Sequence, residues 1–177
     1  LGTYESIKGN INGLSKDGVV EALPYLIKNT EYLMSEEDAE NIDFKDKKVV
    51  VLGGGDTAMD CVRTAIRQQA KSVYCVYRRD KENMPGSVKE IKHAMEEGVE
   101  FLFNSQPLEI IGNGTVRQLK IGKTKLGKAD GSGRRKPVLI KNSEKILDVD
   151  KLVIAFGYEA DPQSFIAENN IKVSDRG

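Results

Sequence analysis

Residues 47–64 read K-K-V-V-V-L-G-G-G-D-T-A-M-D-C-V-R-T, and this stretch decides the fold of the chain. Its apolar run, Val49–Leu52, is typical of a strand buried on both faces of a parallel sheet. Three glycines follow the run directly, and a helical pattern begins after them. Gly53, Gly55 and Ala58 match G-x-G-x-x-A, the pattern of a strand-to-helix turn that binds a dinucleotide.

Each position of this pattern has a physical task. Gly53 lets the strand turn sharply, and Gly55 lacks a Cβ, so that a pyrophosphate can approach the backbone. Ala58 is small and allows close packing of the helix on the strand. The first helical turn, with Asp56 and Thr57, presents free N–H groups and the positive end of the helix dipole to the anion. The pattern alone also fits a tight turn in any α/β domain, and that alternative stays open here.

A second apolar run, Val73–Tyr77, ends in the arginine pair Arg78 and Arg79. In NAD sites an acidic residue lies about 20 residues beyond the last small residue of the fingerprint and binds the ribose 2′-hydroxyl. Arg78 stands 20 residues beyond Ala58, and its guanidinium cannot accept that hydrogen bond but can bind a phosphate bidentately. The sequence therefore predicts an NADP(H) site with both arginines on the 2′-phosphate. Two exposed arginines at a strand end are the alternative interpretation.

Composition limits the classes of protein to be considered. The 177 residues are 39% hydrophobic and 31% charged with zero net charge, which fits a soluble domain and argues against bulk binding of nucleic acid. No apolar run approaches the roughly 18 residues of a membrane span, and the first residues do not resemble a signal peptide, so we expect a cytoplasmic protein. Cys61 and Cys75 are expected to be buried thiols in a reducing compartment. Because residue 1 is not Met, we expect a piece of a longer protein.

Helical and strand patterns alternate up to about residue 104. Helices are predicted over 17–34, over 56–69 and from Ser87 onward, where Ser87 and Glu90 form the S-x-x-E pattern of a capping box. Pro24 lies either in the first turn of its helix or where that helix restarts. The apolar stripe of the first helix is Val20, Leu23, Ile27 and Met34, and that of the third is Val88, Ile91, Ala94 and Met95. With strands at 49–52, 71–78 and 99–104, the order is half of a Rossmann-like, doubly wound parallel sheet.

The pattern changes after residue 104. Short strands at 108–111, 116–121 and 138–140 predict an antiparallel β-meander over about 106–148, inserted at the edge of an α/β fold of three-layer ββα type. A last parallel strand, Asp150–Ala155, ends in Ala155, Phe156 and Gly157. Because ligands of open α/β sheets lie at the carboxyl ends of the strands, we expect this end to face the same crevice as the glycines, with a simple strand-to-loop turn as the alternative.

Three linked motifs carry a resemblance to a known family. They are G-G-G-D-T-A-M-D-C at 53–61, Y-R-R-D-x-x-x-M-P-G-S-x-x-E at 77–90 and E-E-G-V-E-F at 96–101. In this order they resemble the small (β) subunit of NADPH-dependent glutamate synthase and related oxidoreductases of the pyridine nucleotide-disulfide type. In that family an NADPH domain is inserted between the two halves of a FAD domain.

The resemblance implies a division of the chain and a set of coenzyme contacts. Residues 1–46 would be the end of the first FAD half with a connecting helix, 47–157 the NADPH-binding domain, and 158–177 the return to the FAD domain. The implied contacts to NADPH, together with those of the fingerprint, are Gly53, Gly54, Gly55, Asp56, Thr57, Ala58, Arg78, Arg79, Ala155, Phe156 and Gly157.

The resemblance also implies the chemistry of the intact enzyme. A hydride would pass from NADPH to FAD, and since the cofactors carry that step, we expect no catalytic side chain and no metal ligand in this chain. Electrons would then leave FAD through iron–sulfur clusters, outside this chain, to the large subunit of glutamate synthase. Two alternatives stay open: a paralogous oxidoreductase with another electron acceptor, and an interaction domain. The latter would dock an acidic partner through residues 117–145, which hold ten Lys or Arg and two acids.

Overall fold

The computed structural model describes residues 5–34, 42–129, 135–159, 169 and 172. Its helices are α1 (Ala22–Leu33), α2 (Asp56–Arg67) and α3 (Val88–Glu96). Its strands, in chain order, are β1 (Glu5–Ser6), β2 (Val19–Glu21), β3 (Lys48–Leu52), β4 (Ser72–Val76), β5 (Glu100–Leu102), β6 (Ser105–Ile111), β7 (Gln118–Ala129), β8 (Arg135–Leu139), β9 (Lys145–Asp148), β10 (Lys151–Ile154) and β11 (Tyr158–Glu159). No helix within these ranges is long and apolar enough to cross a membrane.

Five strands form a parallel sheet in the order β2-β10-β3-β4-β5. The neighbours β10 and β3 pair with Val153 opposite Val51. From β3 the chain continues outward to β4 and β5, whereas β10 lies on the other side of β3. The strand order therefore reverses between β3 and β10. Such a switch point is where open α/β sheets bind ligands, in the crevice beyond the carboxyl ends of the strands.

The parallel sheet is the middle of three layers. Successive residues of β3 point to opposite faces, so Val49 and Val51 face a core shared with α1, α2 and α3. Val50 and Leu52 face a second core shared with the antiparallel strands. The predicted fold class is confirmed, with one face of the parallel sheet covered by helices and the other by a second sheet.

The antiparallel sheet is built around β7, which has 12 residues. It pairs with β6 and β9 along its first half and with β8 along its second half. The predicted antiparallel sheet is confirmed as part of the fold class, but its strands differ from the prediction. β7 continues to Ala129, where a loop was expected after Ile121, and β9 was not predicted at all. The extension of β7 over 122–129 carries three lysines, and β9 carries one. They form strands because pairing with β8 and β7, respectively, uses the backbone and needs no apolar side chain on the exposed face.

The first helix differs from its prediction. Val20 belongs to β2, and α1 begins at Ala22, so Pro24 lies in the first turn, where its missing N–H is harmless. Tyr25 is fully buried and stacks on Phe44, with ring centroids 4.5 Å apart. Because this pair directs another face of α1 to the core, two residues of the predicted stripe lie outward, with Ile27 46% exposed and Met34 69% exposed. Val20, in β2, packs against the core.

The segments that flank the predicted NADPH domain contact it closely. β2 pairs with β10, and α1 packs on α2, although both lie within residues 1–46. β1 pairs with β11, and the Ile7 N–H donates a 3.0 Å hydrogen bond to the Gly157 carbonyl. Residues 1–4 and most of the predicted return to the FAD domain, 158–177, lie outside the described residues.

Candidate functional site

A cavity of about 510 Å³ lies at the carboxyl ends of β3, β4 and β10. All three segments that the sequence analysis singled out line it: the glycine loop, the arginine pair and the end of β10. The predicted residues in its lining are Gly53, Gly54, Gly55, Thr57, Arg78, Arg79, Ala155, Phe156 and Gly157. Asp56 and Ala58 are not in the lining.

The three consecutive glycines meet different surroundings. Gly53 has φ +151°, and a Cβ there would lie 2.1 Å from the Ala155 carbonyl oxygen. A Cβ on Gly54 would lie 2.5 Å from the Tyr77 ring, whereas one on Gly55 would meet no atom of the described residues within 4 Å. The first two glycines therefore permit close packing of strand ends, and the third leaves space open at the start of α2.

The start of α2 offers backbone N–H groups to this space. Gly55 is the N-cap residue, and no side chain caps the helix. The Ala58 and Met59 N–H groups both bond to the Gly55 carbonyl, at 3.0 and 3.1 Å. The N–H groups before them belong to the first turn, which has no intrahelical acceptors. Ala58 itself is fully buried under the loop, as its predicted packing role requires.

The loop before α3 lies against the glycine loop. The Gly86 N–H donates to the Gly54 carbonyl at 2.9 Å, and the Ser87 N–H donates to the Asp56 carboxylate at 2.7 Å. Pro85, next to them, lines the cavity. This contact between loops is not predictable from the sequence, because M-P-G-S carries no signal of what it packs against.

The predicted capping box at α3 is wrong. Ser87 is the N-cap residue, but its side chain makes no capping hydrogen bond. The Glu90 carboxylate pairs with Arg63 on α2 instead of the Ser87 N–H, which binds Asp56. Val88, expected in the core, is 83% exposed. Long-range ion pairing with α2 therefore overrides the local S-x-x-E pattern.

The arginine pair lies on the cavity wall at the end of β4. Arg78 is exposed and Arg79 is half-buried. Arg79 Nε donates to the Arg135 carbonyl at 3.2 Å, which leaves its terminal nitrogens to other partners. Within the part of the chain that the structure describes, no carboxylate lies within salt-bridge distance of either guanidinium. This wall therefore offers positive charge to an anion.

Two further segments line the cavity without having been predicted. One is the stretch before β2, with Ile7, Gly9 and Asn10. Gly9 has φ +70° and lies so close to Phe156 that a Cβ would be 2.9 Å from its ring. The other is the start of β6, with Gln106. The glycine at position 9 signals a turn, but no pattern in the sequence connects either segment to the site.

The sequence matches the pyridine nucleotide-disulphide oxidoreductase family over residues 6–177. It is 47% identical to the glutamate synthase (NADPH) small chain of Escherichia coli (strain K12), over all of this chain and 39% of that protein. It is 44% identical to the putative oxidoreductase AegA of the same organism, over all of this chain and 28% of that protein. The chain thus spans less than half the length of these relatives. Among solved structures, Mycobacterium tuberculosis FprA in complex with NADPH aligns with a TM-score of 0.72 at 17% identity, over 93% of this chain and 50% of FprA.

Proposed function

The chain belongs to the pyridine nucleotide-disulphide oxidoreductase family, and from that premise we propose that it binds NADPH as the coenzyme domain of a flavoprotein oxidoreductase. The observation that carries this proposal is the single cavity lined by the glycine loop, the arginine pair and the end of β10. Its volume of about 510 Å³ is in the range of cofactor pockets.

Each part of the cavity has a proposed task. The glycine loop with Thr57 and the start of α2 binds the pyrophosphate through backbone N–H groups. Arg78 and Arg79 bind the 2′-phosphate through charge-assisted hydrogen bonds. Asp56 and Ala58 support the loop from outside the lining, the first by binding the Ser87 N–H and the second by packing on the sheet.

The open space at Gly55 is the feature that fits a dinucleotide best. Among the described residues, no atom beyond the adjoining chain would lie within 4 Å of a Cβ there, so a phosphate can approach the bare backbone. When bound, NADPH supplies a hydride, and the protein's part is to bind and orient it. We therefore assign no general acid or base to this chain.

For the intact protein we propose the small subunit of a glutamate synthase in the cytoplasm. FAD and the iron–sulfur clusters would lie outside this chain, and the partners would be the FAD domain and the large subunit. The support is the 47% identity to the E. coli small chain. We also propose that the NADPH-binding domain extends from residue 47 to residue 157. Residues 19–33, before it in the sequence, add a strand to its parallel sheet and a helix to its helical layer.

The test is a calorimetric titration of the chain with NADPH and, separately, with NADH. We expect NADPH to bind about ten- to a hundredfold more tightly, the factor that one or two hydrogen bonds between charged groups supply. Arg78→Ala combined with Arg79→Ala should remove this preference and leave the affinity for NADH unchanged.

A matched control removes the same charge elsewhere. Lys136 and Lys141 are exposed and do not line the cavity, so Lys136→Ala with Lys141→Ala should keep the preference for NADPH. If wild-type protein binds neither coenzyme, or if the arginine double variant still discriminates, the proposed function or the proposed 2′-phosphate site is wrong.

A paralogous oxidoreductase is the second candidate for the intact protein. The observation that favours it is the 44% identity to AegA, close to the identity to the glutamate synthase subunit. Both candidates use the same coenzyme site, so the intact protein decides between them. NADPH-dependent formation of glutamate with a large subunit supports the first, and reduction of another acceptor alone supports the second.

A further inference from the structure

Three successive backbone carbonyls directly after β4 accept hydrogen bonds from β6, from β7 and from the residue before β6. The bonds are Ser105 N–H to Tyr77 at 3.0 Å, the Thr124 hydroxyl to Arg78 at 2.8 Å and Asn104 N–H to Arg79 at 2.8 Å. The Thr124 N–H also donates to the Asn104 carbonyl at 2.8 Å. The backbone that carries both arginines is therefore held at every residue.

Thr124 supplies the only side-chain donor of the three. It lies in β7, and its residue is 4% exposed although threonine is polar. A buried hydroxyl is costly unless it is hydrogen-bonded, and this one is satisfied by the Arg78 carbonyl, 46 positions away in the sequence. No neighbouring residue of β7 makes an equivalent bond among those described.

The Arg79 side chain makes a further hydrogen bond to the antiparallel sheet. Its Nε donates to the Arg135 carbonyl in β8 at 3.2 Å. The parallel sheet thus carries the two arginines, and the antiparallel sheet fixes their backbone and one side chain. Besides packing on the parallel sheet, the antiparallel sheet therefore positions the two arginines.

We propose that Thr124 is a positioning residue that sets the preference for NADPH over NADH by fixing the Arg78 peptide. The inference rests on the proposed function, because it assumes that Arg78 binds the 2′-phosphate. An arginine on a mobile backbone loses more conformational freedom on binding a phosphate, and holding the backbone in advance removes part of that cost. NADH has no 2′-phosphate, and so its affinity does not depend on the hydrogen bond between Thr124 and the Arg78 carbonyl.

The experiment compares Thr124→Val with Thr124→Ser by calorimetric titration of the full chain with both coenzymes. Valine matches threonine in shape and lacks the hydroxyl, whereas serine keeps it. We expect Thr124→Val to weaken NADPH binding about fivefold, the factor of one net hydrogen bond, and to leave NADH binding unchanged. Thr124→Ser should restore the ratio of the two affinities.

A control separates positioning from stability. Ile121→Val removes one methylene from a buried residue of the same strand, and it should lower stability without changing the ratio of affinities. Thr124→Ala replaces the valine variant if the latter does not fold. An unchanged ratio in the variant that lacks the hydroxyl, or an equal loss for both coenzymes, overturns the inference while the proposed function stands. Absence of NADPH preference in the wild type overturns both.

Discussion

The Asp56 carboxylate, at the first residue of α2, accepts a 2.7 Å hydrogen bond from the Ser87 N–H, at the N-cap of α3. Asp56 thereby takes the role that the N3 carboxylate has in a capping box, which is to accept the N–H of the N-cap residue. A second bond joins the same two loops, from the Gly86 N–H to the Gly54 carbonyl at 2.9 Å. The two bonds attach the loop before α3 to the glycine loop, and the shape of the proposed pyrophosphate site depends on both.

We predict that Asp56→Ala lowers the free energy of unfolding by about 1 kcal/mol, as expected for a lost helix cap. Urea denaturation followed by circular dichroism measures this change. Ser87→Ala is the matched control: the Ser87 side chain makes no capping bond, so its loss should change stability by less than about 0.5 kcal/mol. Equal losses of stability for the two variants would contradict the capping role assigned to the Asp56 carboxylate.

We predict that Gly55→Ala separates coenzyme binding from stability. The new Cβ would meet no atom within 4 Å, and φ at this position is −88°, which alanine adopts readily. The variant should therefore fold with a stability within about 1 kcal/mol of wild type. Its methyl group occupies the space proposed for the pyrophosphate, and NADPH affinity should fall by about tenfold or more.

Gly54→Ala, unlike Gly55→Ala, should lower the stability of the protein. A Cβ there would lie 2.5 Å from the Tyr77 ring, which is itself buried. Because neither the ring nor the glycine loop has room to move, we predict a loss of stability typical of overpacking, about 1–3 kcal/mol. Urea denaturation of both variants in parallel checks the contrast. A Gly55→Ala variant that is less stable than Gly54→Ala would contradict it.

The part of the site that the sequence predicted is encoded over short distances. The turn from β3 to α2 follows from an apolar run and its adjacent glycines, and the arginines follow from their fixed distance to Ala58. The end of β10 could be placed because strands of a parallel sheet end at one edge. Local pattern and one rule of topology were sufficient for these three segments.

The rest of the site, and the packing of the helices, depend on contacts between residues far apart in the sequence. Thr124 is predicted only as part of a meander, and nothing near it indicates that it binds the Arg78 carbonyl. Glu90 satisfies a capping pattern locally, but Arg63 on the neighbouring helix attracts its carboxylate. Tyr25 does not belong to the predicted stripe of α1, and its stacking partner, Phe44, follows only after the helix has ended. Periodicity gives the type of element but not which neighbour each face meets.

We predict that Glu97→Gln lowers stability at neutral pH and has a smaller effect in acid. A hydrogen bond from Arg63, 2.9 Å long, holds the pKa of Glu97 below its ordinary value of 4.5. The stabilisation from a lowered carboxyl pKa is complete above the unfolded value and is lost as pH falls through the folded value. The difference in unfolding free energy between wild type and variant should therefore shrink below about pH 4.5.

Urea denaturation of both proteins at neutral pH and at several acidic values measures this difference. Asp60, whose pKa is raised by burial, is present in both proteins, so its contribution largely cancels. Lys92→Met is a control, because its 3.6 Å pair with Glu96 is largely exposed and should contribute little at any pH. A difference for Glu97→Gln that grows toward acid would contradict the assigned direction of the pKa.

We predict that neither cysteine reacts with a thiol reagent in the folded protein. Cys61 and Cys75 are fully buried, and burial raises the pKa of the Cys75 thiol to about 12 and that of Cys61 as well. Cys75 lies under the glycine loop, where its Sγ contacts the Gly53 carbonyl at 3.3 Å. At about pH 8 an unperturbed thiol is partly ionised and reacts, whereas both of these should react only after urea unfolds the chain.

Colorimetric titration with a disulfide reagent counts the accessible thiols in each state. One equivalent released by native protein would show that the core beneath the glycine loop opens, and Cys75→Ser would identify which thiol is exposed.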